Sequence, residues 1–369
     1  MKRVISLDVL RGMTVAGMIL VNNPAQWGVQ YSPLKHAQWN GITPTDLVFP
    51  FFLFIMGVSA YFSLSKRAAT GKGPVLAHVL TRSVMIFATG LLLHLMSRVA
   101  WGTVSDWGSF RIMGVLQALS LSYLFGSLIL VGIRFRHLLP ISFALLSAYA
   151  LLLLLGDGYA LSPDNIVARI DSAILGESHL YTQSLPEGGR MAFDPEGIVS
   201  TLPRIAHFLL GAFAGKLIAE DRENMSMAMS KILLFGAAIL IAGYLLQYGL
   251  PLNKKIWSPT FTLVSCGYAS LTLGLLVWLI DVKERRGWTS FFRVFGSNPL
   301  FLYCIAWLFA ILLGIQVSDG MSVKALLYSA CLKPYLGEPF GSLVYSLLLV
   351  GGVWLVGLPL YRKHIYIKL

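Results

Sequence analysis

The sequence predicts an all-α, polytopic membrane protein with about ten transmembrane helices. Three observations carry this. Apolar and aromatic residues make up 56% of the chain and charged residues only 12%, about half the charged share of soluble domains. Mean hydropathy is +0.71. The apolar residues also fall into ten runs, each near the roughly 20 residues that a helix needs to cross a bilayer. A cytosolic enzyme, a secreted disulfide scaffold and a disordered chain are all excluded. The net charge of +12 would suit a nucleic-acid partner, but here it reads as cytoplasmic loops that hold helices in place, and no nucleic acid is expected.

The runs lie at 5–23, 46–65, 76–96, 111–132, 138–156, 198–218, 230–249, 258–280, 296–315 and 341–361. They are too long, and alternate too little, for barrel strands. The first carries Asp8 and Arg11 and has no small-residue cleavage site, so it reads as a retained helix and not a signal peptide. With the N-terminus cytoplasmic, eighteen of the 29 Lys and Arg fall on the inside and ten outside. Both termini are therefore expected in the cytoplasm. The longest outer loop, 157–197, is too short for a domain of its own, so residues 1–369 form one membrane domain. Met321 to Leu332 reads as a short surface helix. Cys266, Cys304 and Cys331 show no disulfide framework, and the seven histidines lack metal-ligand spacing, so no metal is expected.

Polar residues within or beside spans are costly and mark interior paths. In span 1, Asp8 and Arg11 are three apart and share a face. Asn22 returns to nearly that face roughly 16 Å further along. The first outer loop crowds His36, Trp39, Asn40 and Asp46 against span 2. Histidine suits proton transfer near neutral pH, and a carboxylate can orient it. Thr45 or Asp46 can equally cap that span. Arg111 opens span 4 with Gln117 two turns in. Asp194-Pro195 reads as a helix start for span 6. Lys254 and Lys255 lie in a short outer loop with Trp257. Span 9 opens Gly296-Ser297-Asn298-Pro299 behind Arg293, a helix N-terminus able to face phosphate.

Several stretches go further: SLDVLRG at 6–12, VN at 21–22, KHAQWNGITPTDLVFPFFLFIMG at 35–57, RIMGVLQ at 111–117, DPEGIVSTLP at 194–203, GAFAGK at 211–216, NKKIWS at 253–258 and GSNPLFLY at 296–303. In these the chain resembles the catalytic membrane domain of the heparan-α-glucosaminide N-acetyltransferase family, within the transmembrane acyltransferases. The LxxLRG opening is shared more widely, but where many acyltransferases place a histidine at the end of span 1, this chain has Asn22.

The resemblance implies acetyl-CoA as co-substrate from the cytoplasm, an amino-sugar or glycan acceptor outside, and a multi-pass place among lipids of a cell (inner) membrane. It also implies a homodimer. His36 becomes general base or acetyl acceptor, with Asp46 and Asn22 assisting. Trp39, Asn40, Arg111, Gln117, Lys254 and Trp257 are expected near the acceptor. Asp8, Arg11, Arg82, Arg293, Ser297 and Asn298 are expected near CoA. The chain opens directly on span 1, without the large lumenal domain and extra span of the lysosomal member, so a small amino sugar or short glycan is the expected acceptor. An O-acyltransferase and an amino-sugar transporter are the rival readings.

Overall fold

The computed structural model describes residues 4–67, 71–103, 105–186, 188–318 and 320–367. Lys2, Arg3 and Lys368, which contribute to the inside count, lie outside the described residues, as do the side chains of Lys66 and Arg67. The long helices are α1 (Ile5–Asn22), α2 (Val48–Arg67), α3 (Lys72–Ala100), α4 (Val115–Gly132) and α5 (Leu138–Leu155). After α6 (Ile166–Leu175), a short extramembrane helix, come α7 (Thr201–Glu220), α8 (Met225–Leu246) and α9 (Pro259–Leu276). Helices α10 (Thr289–Ser297) and α11 (Pro299–Gly314) meet at 87°. Two single turns, α12 (Val323–Leu326) and α13 (Lys333–Leu336), precede α14 (Glu338–Arg362). Among the described residues nine helices are long and apolar enough to cross a membrane, or ten if the bent α10–α11 pair counts as one span. The surface helix expected at 321–332 is α12 and the π-turn behind it.

Among the described residues, sheet is limited to two small hairpins, β1 (Thr182–Ser184) with β2 (Arg190–Ala192), and β3 (Gln316–Ser318) with β4 (Met321–Ser322). The first stands in the long loop between α5 and α7, beside α6. Asn165 caps α6 by accepting from the Val167 N–H at 2.9 Å, while its amide donates to the Gly158 and Ala160 carbonyls.

Without a hydrophobic drive between helices in lipid, small residues let backbones approach. Helices α2 and α7 interlock this way: a Cβ at Gly57 would lie 2.1 Å from the Phe208 carbonyl oxygen, and one at Gly211 2.2 Å from that of Phe54. Helices α1 and α10 do the same, with Gly12 against Phe292 (1.8 Å) and Gly296 against Asp8 (2.1 Å). Gly12→Ala is therefore expected to force these two helices apart, at about 1–3 kcal/mol. A thermal melt in detergent checks it, and an unchanged melting temperature would refute the contact.

The first N–H groups of α1 lack a side-chain cap of their own. Asp281, in the π-turn Val277–Val282 that ends α9, accepts from Ile5 and Ser6, both at 3.3 Å. A carboxylate there also meets the positive end of the helix dipole.

Candidate active site

Asp46 is built into a capping box. Pro44 sets the first turn of the helical entry to α2, and Asp46 stands three residues after Thr43. Its Oδ2 accepts from the Thr43 N–H at 3.0 Å, the Thr43 hydroxyl at 2.9 Å and the Ala37 N–H at 3.1 Å. Its Oδ1 is left for His36 Nδ1 at 2.7 Å and Lys254 Nζ at 3.3 Å. The carboxylate is fully buried, whereas the imidazole is 35% exposed. Capping thus occupies one oxygen, and the contacts with His36 and Lys254 the other. The cap partner is Thr43, not Thr45, whose hydroxyl bonds the Pro33 carbonyl.

Lys254 Nζ also lies 3.0 Å from His36 Nδ1. Both Nδ1 contacts cannot be hydrogen bonds together. A carboxylate only accepts and an ammonium only donates. The shorter contact makes Nδ1–H the donor to Asp46, and the ammonium pairs with the same carboxylate. Nε2 then carries the free lone pair. Burial pulls the Lys254 ammonium below the usual lysine range, and Asp46 offsets this only in part.

These residues open into a cavity of about 350 Å³, lined by His36, Gln38, Tyr181, Glu196, Lys255 and Trp257 among others. Trp257 holds a left-handed backbone (φ 53°) and is buried between Phe49 and Phe261, edge-on to both, with the Arg204 guanidinium 4.9 Å from its ring. Such strain persists only where packing over-determines it.

A second cavity, about 540 Å³, lies further along α2. Phe52, Ile55, Met56, Ser59 and Ser63 of α2 line it, with Arg11, Arg82, Ser297 and Pro299. Arg11 donates to the Ser59 hydroxyl at 2.6 Å and to the Gly296 carbonyl at 3.4 Å, and it pairs with Asp8 at 3.3 Å, the three-residue spacing read from span 1. Arg82 lies 4.8 Å over the Tyr123 ring.

The first cavity brings together His36, Asp46, Lys254 and Trp257, and the second Arg11, Arg82 and Ser297. Other nominated residues stand outside both. Asn22 is exposed at the end of α1. Trp39 braces the extramembrane loop, donating to the Tyr159 carbonyl at 2.8 Å and meeting Phe193 edge-on. Asn40 accepts from the Asn253 amide at 3.2 Å. Gln117 is buried against Gly90 and Gly114. Arg293 stacks 5.6 Å over Tyr361, and Asn298 bonds the segment after α14. Arg111 does not line the first cavity but touches two residues that do, Glu196 at 2.6 Å and Tyr181, whose ring lies 5.2 Å from its guanidinium.

The Asp194-Pro195 helix start is corrected. Helix α7 begins at Thr201, and Asp194 is instead a buried carboxylate gripped by Arg111 through Nε at 2.8 Å and Nη2 at 2.6 Å. Glu196, Tyr181, Gln183 and Lys255 line the first cavity without being among the site residues expected from the sequence. Glu196 stood in the quoted DPEG stretch but was masked by the capping pattern. Tyr181 and Gln183 carry no local signal.

The many-spanning helical bundle, with a His–carboxylate pair in one polar cavity and cations in a second, defines a multi-pass membrane protein. The chain belongs to the heparan-alpha-glucosaminide N-acetyltransferase catalytic family, whose model matches residues 3–250. It is 27% identical to heparan-alpha-glucosaminide N-acetyltransferase of Mus musculus over 353 residues, covering 80% of this chain and 52% of the relative. The Homo sapiens protein of the same name is 28% identical over 357 residues, covering 82% and 52%. The chain thus spans about half the length of the curated relatives it matches.

Proposed function

We propose that the protein is a transmembrane N-acetyltransferase. It moves the acetyl group of cytoplasmic acetyl-CoA to the amine of a glucosamine-type sugar or short glycan on the outer side of a cell (inner) membrane. The whole chain acts as one catalytic domain, surrounded by lipid and working as a homodimer. The observation that carries this is that one continuous segment reaches both cavities, the turn with Asp46 lining the first and α2 behind it lining the second. Asp46 stands just before α2, and Ser63 lines the second cavity, an axial rise of roughly 25 Å, most of a bilayer core. The excess of inside cations supports the orientation.

The cavity with Arg11 and Arg82 suits the anionic nucleotide end of the donor, and its apolar α2 wall suits the pantetheine arm. The cavity with carboxylates and ammonium groups suits a sugar's hydroxyls and amine. An amine attacks a thioester only as the free base. His36 Nε2 takes the amine proton as the C–N bond forms and the C–S bond breaks, and the thiolate leaves. Asp46 holds the ring and stabilises the imidazolium. The Lys254 ammonium is the candidate donor to the carbonyl oxygen as it gains charge, whereas Asn22, exposed at the end of α1, lines neither cavity. Arg111 has its Nε and Nη2 committed to Asp194 and Glu196, so it acts by holding Glu196. The same Nε2 can instead accept the acetyl group before the amine attacks. A burst of thiol in the absence of acceptor would identify that route.

The test is purified protein with acetyl-CoA and glucosamine, following free thiol and the acylated product. Thiol release with an amide product supports the proposal. An ester product would replace it with O-acylation, and sugar uptake without thiol release with transport. Arg82→Ala is expected to raise the acetyl-CoA KM about tenfold, the loss of one charge-assisted contact. An unchanged KM would remove Arg82 from the donor site.

A further inference from the structure

Asn298 separates α10 from α11, and its neighbours Ser297 and Pro299 both line the second cavity. Its own side chain turns elsewhere. The residue is buried, its Nδ2 donates to the Ile365 carbonyl at 2.9 Å, and its Oδ1 accepts from the Ile367 N–H at 2.7 Å. One side-chain amide thus holds the segment after α14 as a neighbouring strand would.

That segment is directed there by a second device. At the end of α14, Lys363 and His364 bond back to the Pro359 and Tyr361 carbonyls, and Ile365 to that of Leu360. His364 adopts a left-handed backbone (φ 55°), the reversal that ends many helices, though usually with glycine. A non-glycine residue stays there only where its surroundings impose it. Tyr366 and Ile367, just beyond, line the same cavity as Arg11, Arg82 and Ser297.

We propose that Tyr366 and Ile367 form a wall of the donor cavity and that Asn298 is the positioning residue that clamps this wall in place. The inference rests on the donor reading of that cavity. It gives Asn298 a role distinct from capping: no cap bond is made by its side chain, and it acts on the donor through the segment it holds. Arg11 and Arg82 supply charge from one side, while Tyr366 and Ile367 close another.

The experiment compares five proteins: wild type, Asn298→Ala, Asn298→Asp, a chain stopped after Lys363, and that stop combined with Asn298→Ala. Equilibrium binding of CoA and the acetyl-CoA KM are measured for each. Asn298→Ala is expected to weaken CoA binding and raise KM by the same factor, about tenfold for two lost hydrogen bonds. In the shortened chain, Asn298→Ala should add nothing, because the clamp has nothing left to hold. Asn298→Asp, which keeps the acceptor for Ile367 and loses the donor to Ile365, should fall between. An equal penalty in both backgrounds would make Asn298 a structural residue of the helix break and overturn the clamp. CoA affinity unmoved by either single change would overturn it too. Wild-type protein that binds no CoA would overturn the donor reading and the wall with it.

Discussion

His36→Ala is expected to lower acetyl transfer by about 10²–10⁴-fold, the usual contribution of a positioned general base. The geometry argues for so large an effect. Nδ1 is committed to a buried carboxylate at 2.7 Å, which orients the ring and leaves Nε2 available on the cavity side. The loop around Asp46 should survive the change, because the Ala37 N–H and the Thr43 N–H and hydroxyl still hold Oδ2. Lys254 still pairs with Oδ1, so no bare carboxylate is left behind. The variant should therefore stay folded and bind CoA as wild type does. Thiol release, CoA binding and a melt in detergent measure the three claims together. Near-wild-type turnover would sink the assignment of His36.

Arg111→Met should bring the largest loss of stability, about 3–5 kcal/mol. The Asp194 side chain is 0% exposed and takes both Arg111 contacts, and it also accepts from the N–H groups of Tyr181 and Glu196. Removing the guanidinium strands a carboxylate away from water. Arg111→Lys should lose much of the benefit, since an ammonium cannot reproduce the two-point grip. The double change Arg111→Met with Asp194→Leu should recover part of that stability, because the stranded charge is gone while the Tyr181 and Glu196 N–H groups lose their acceptor. It should not recover acceptor binding, as Glu196 would still lack the partner that holds it in the cavity. Melting in detergent and the acceptor KM separate the two effects. A single variant as stable as wild type would show the pair to be dispensable.

What local pattern could reveal, it revealed through short spacings. Asp8 and Arg11 lie one helical turn apart and do pair. His36 and Asp46 lie ten residues apart in a loop that Pro44 and the capping box make rigid, and they too meet. The DPEG stretch misled for the same reason. Asp followed by Pro matches a helix start within four residues, but the partner that claims Asp194 lies 83 residues earlier. Asn298 misled likewise: it sits at a helix start, yet its amide is used 67 and 69 residues further on.

The solvent of this protein, the apolar runs and the His–carboxylate pair at the mouth of span 2 are thus legible along the chain. Each of these is written in composition, in period, or in a separation of a dozen residues or fewer. It takes the packed fold to bring Lys254 to that pair across 218 residues, to hang Glu196 from Arg111, and to set α2 between two cavities. The physical reason is that helix packing joins residues distant in sequence through close-approaching glycines and buried charges, and neither leaves a periodic trace along the chain.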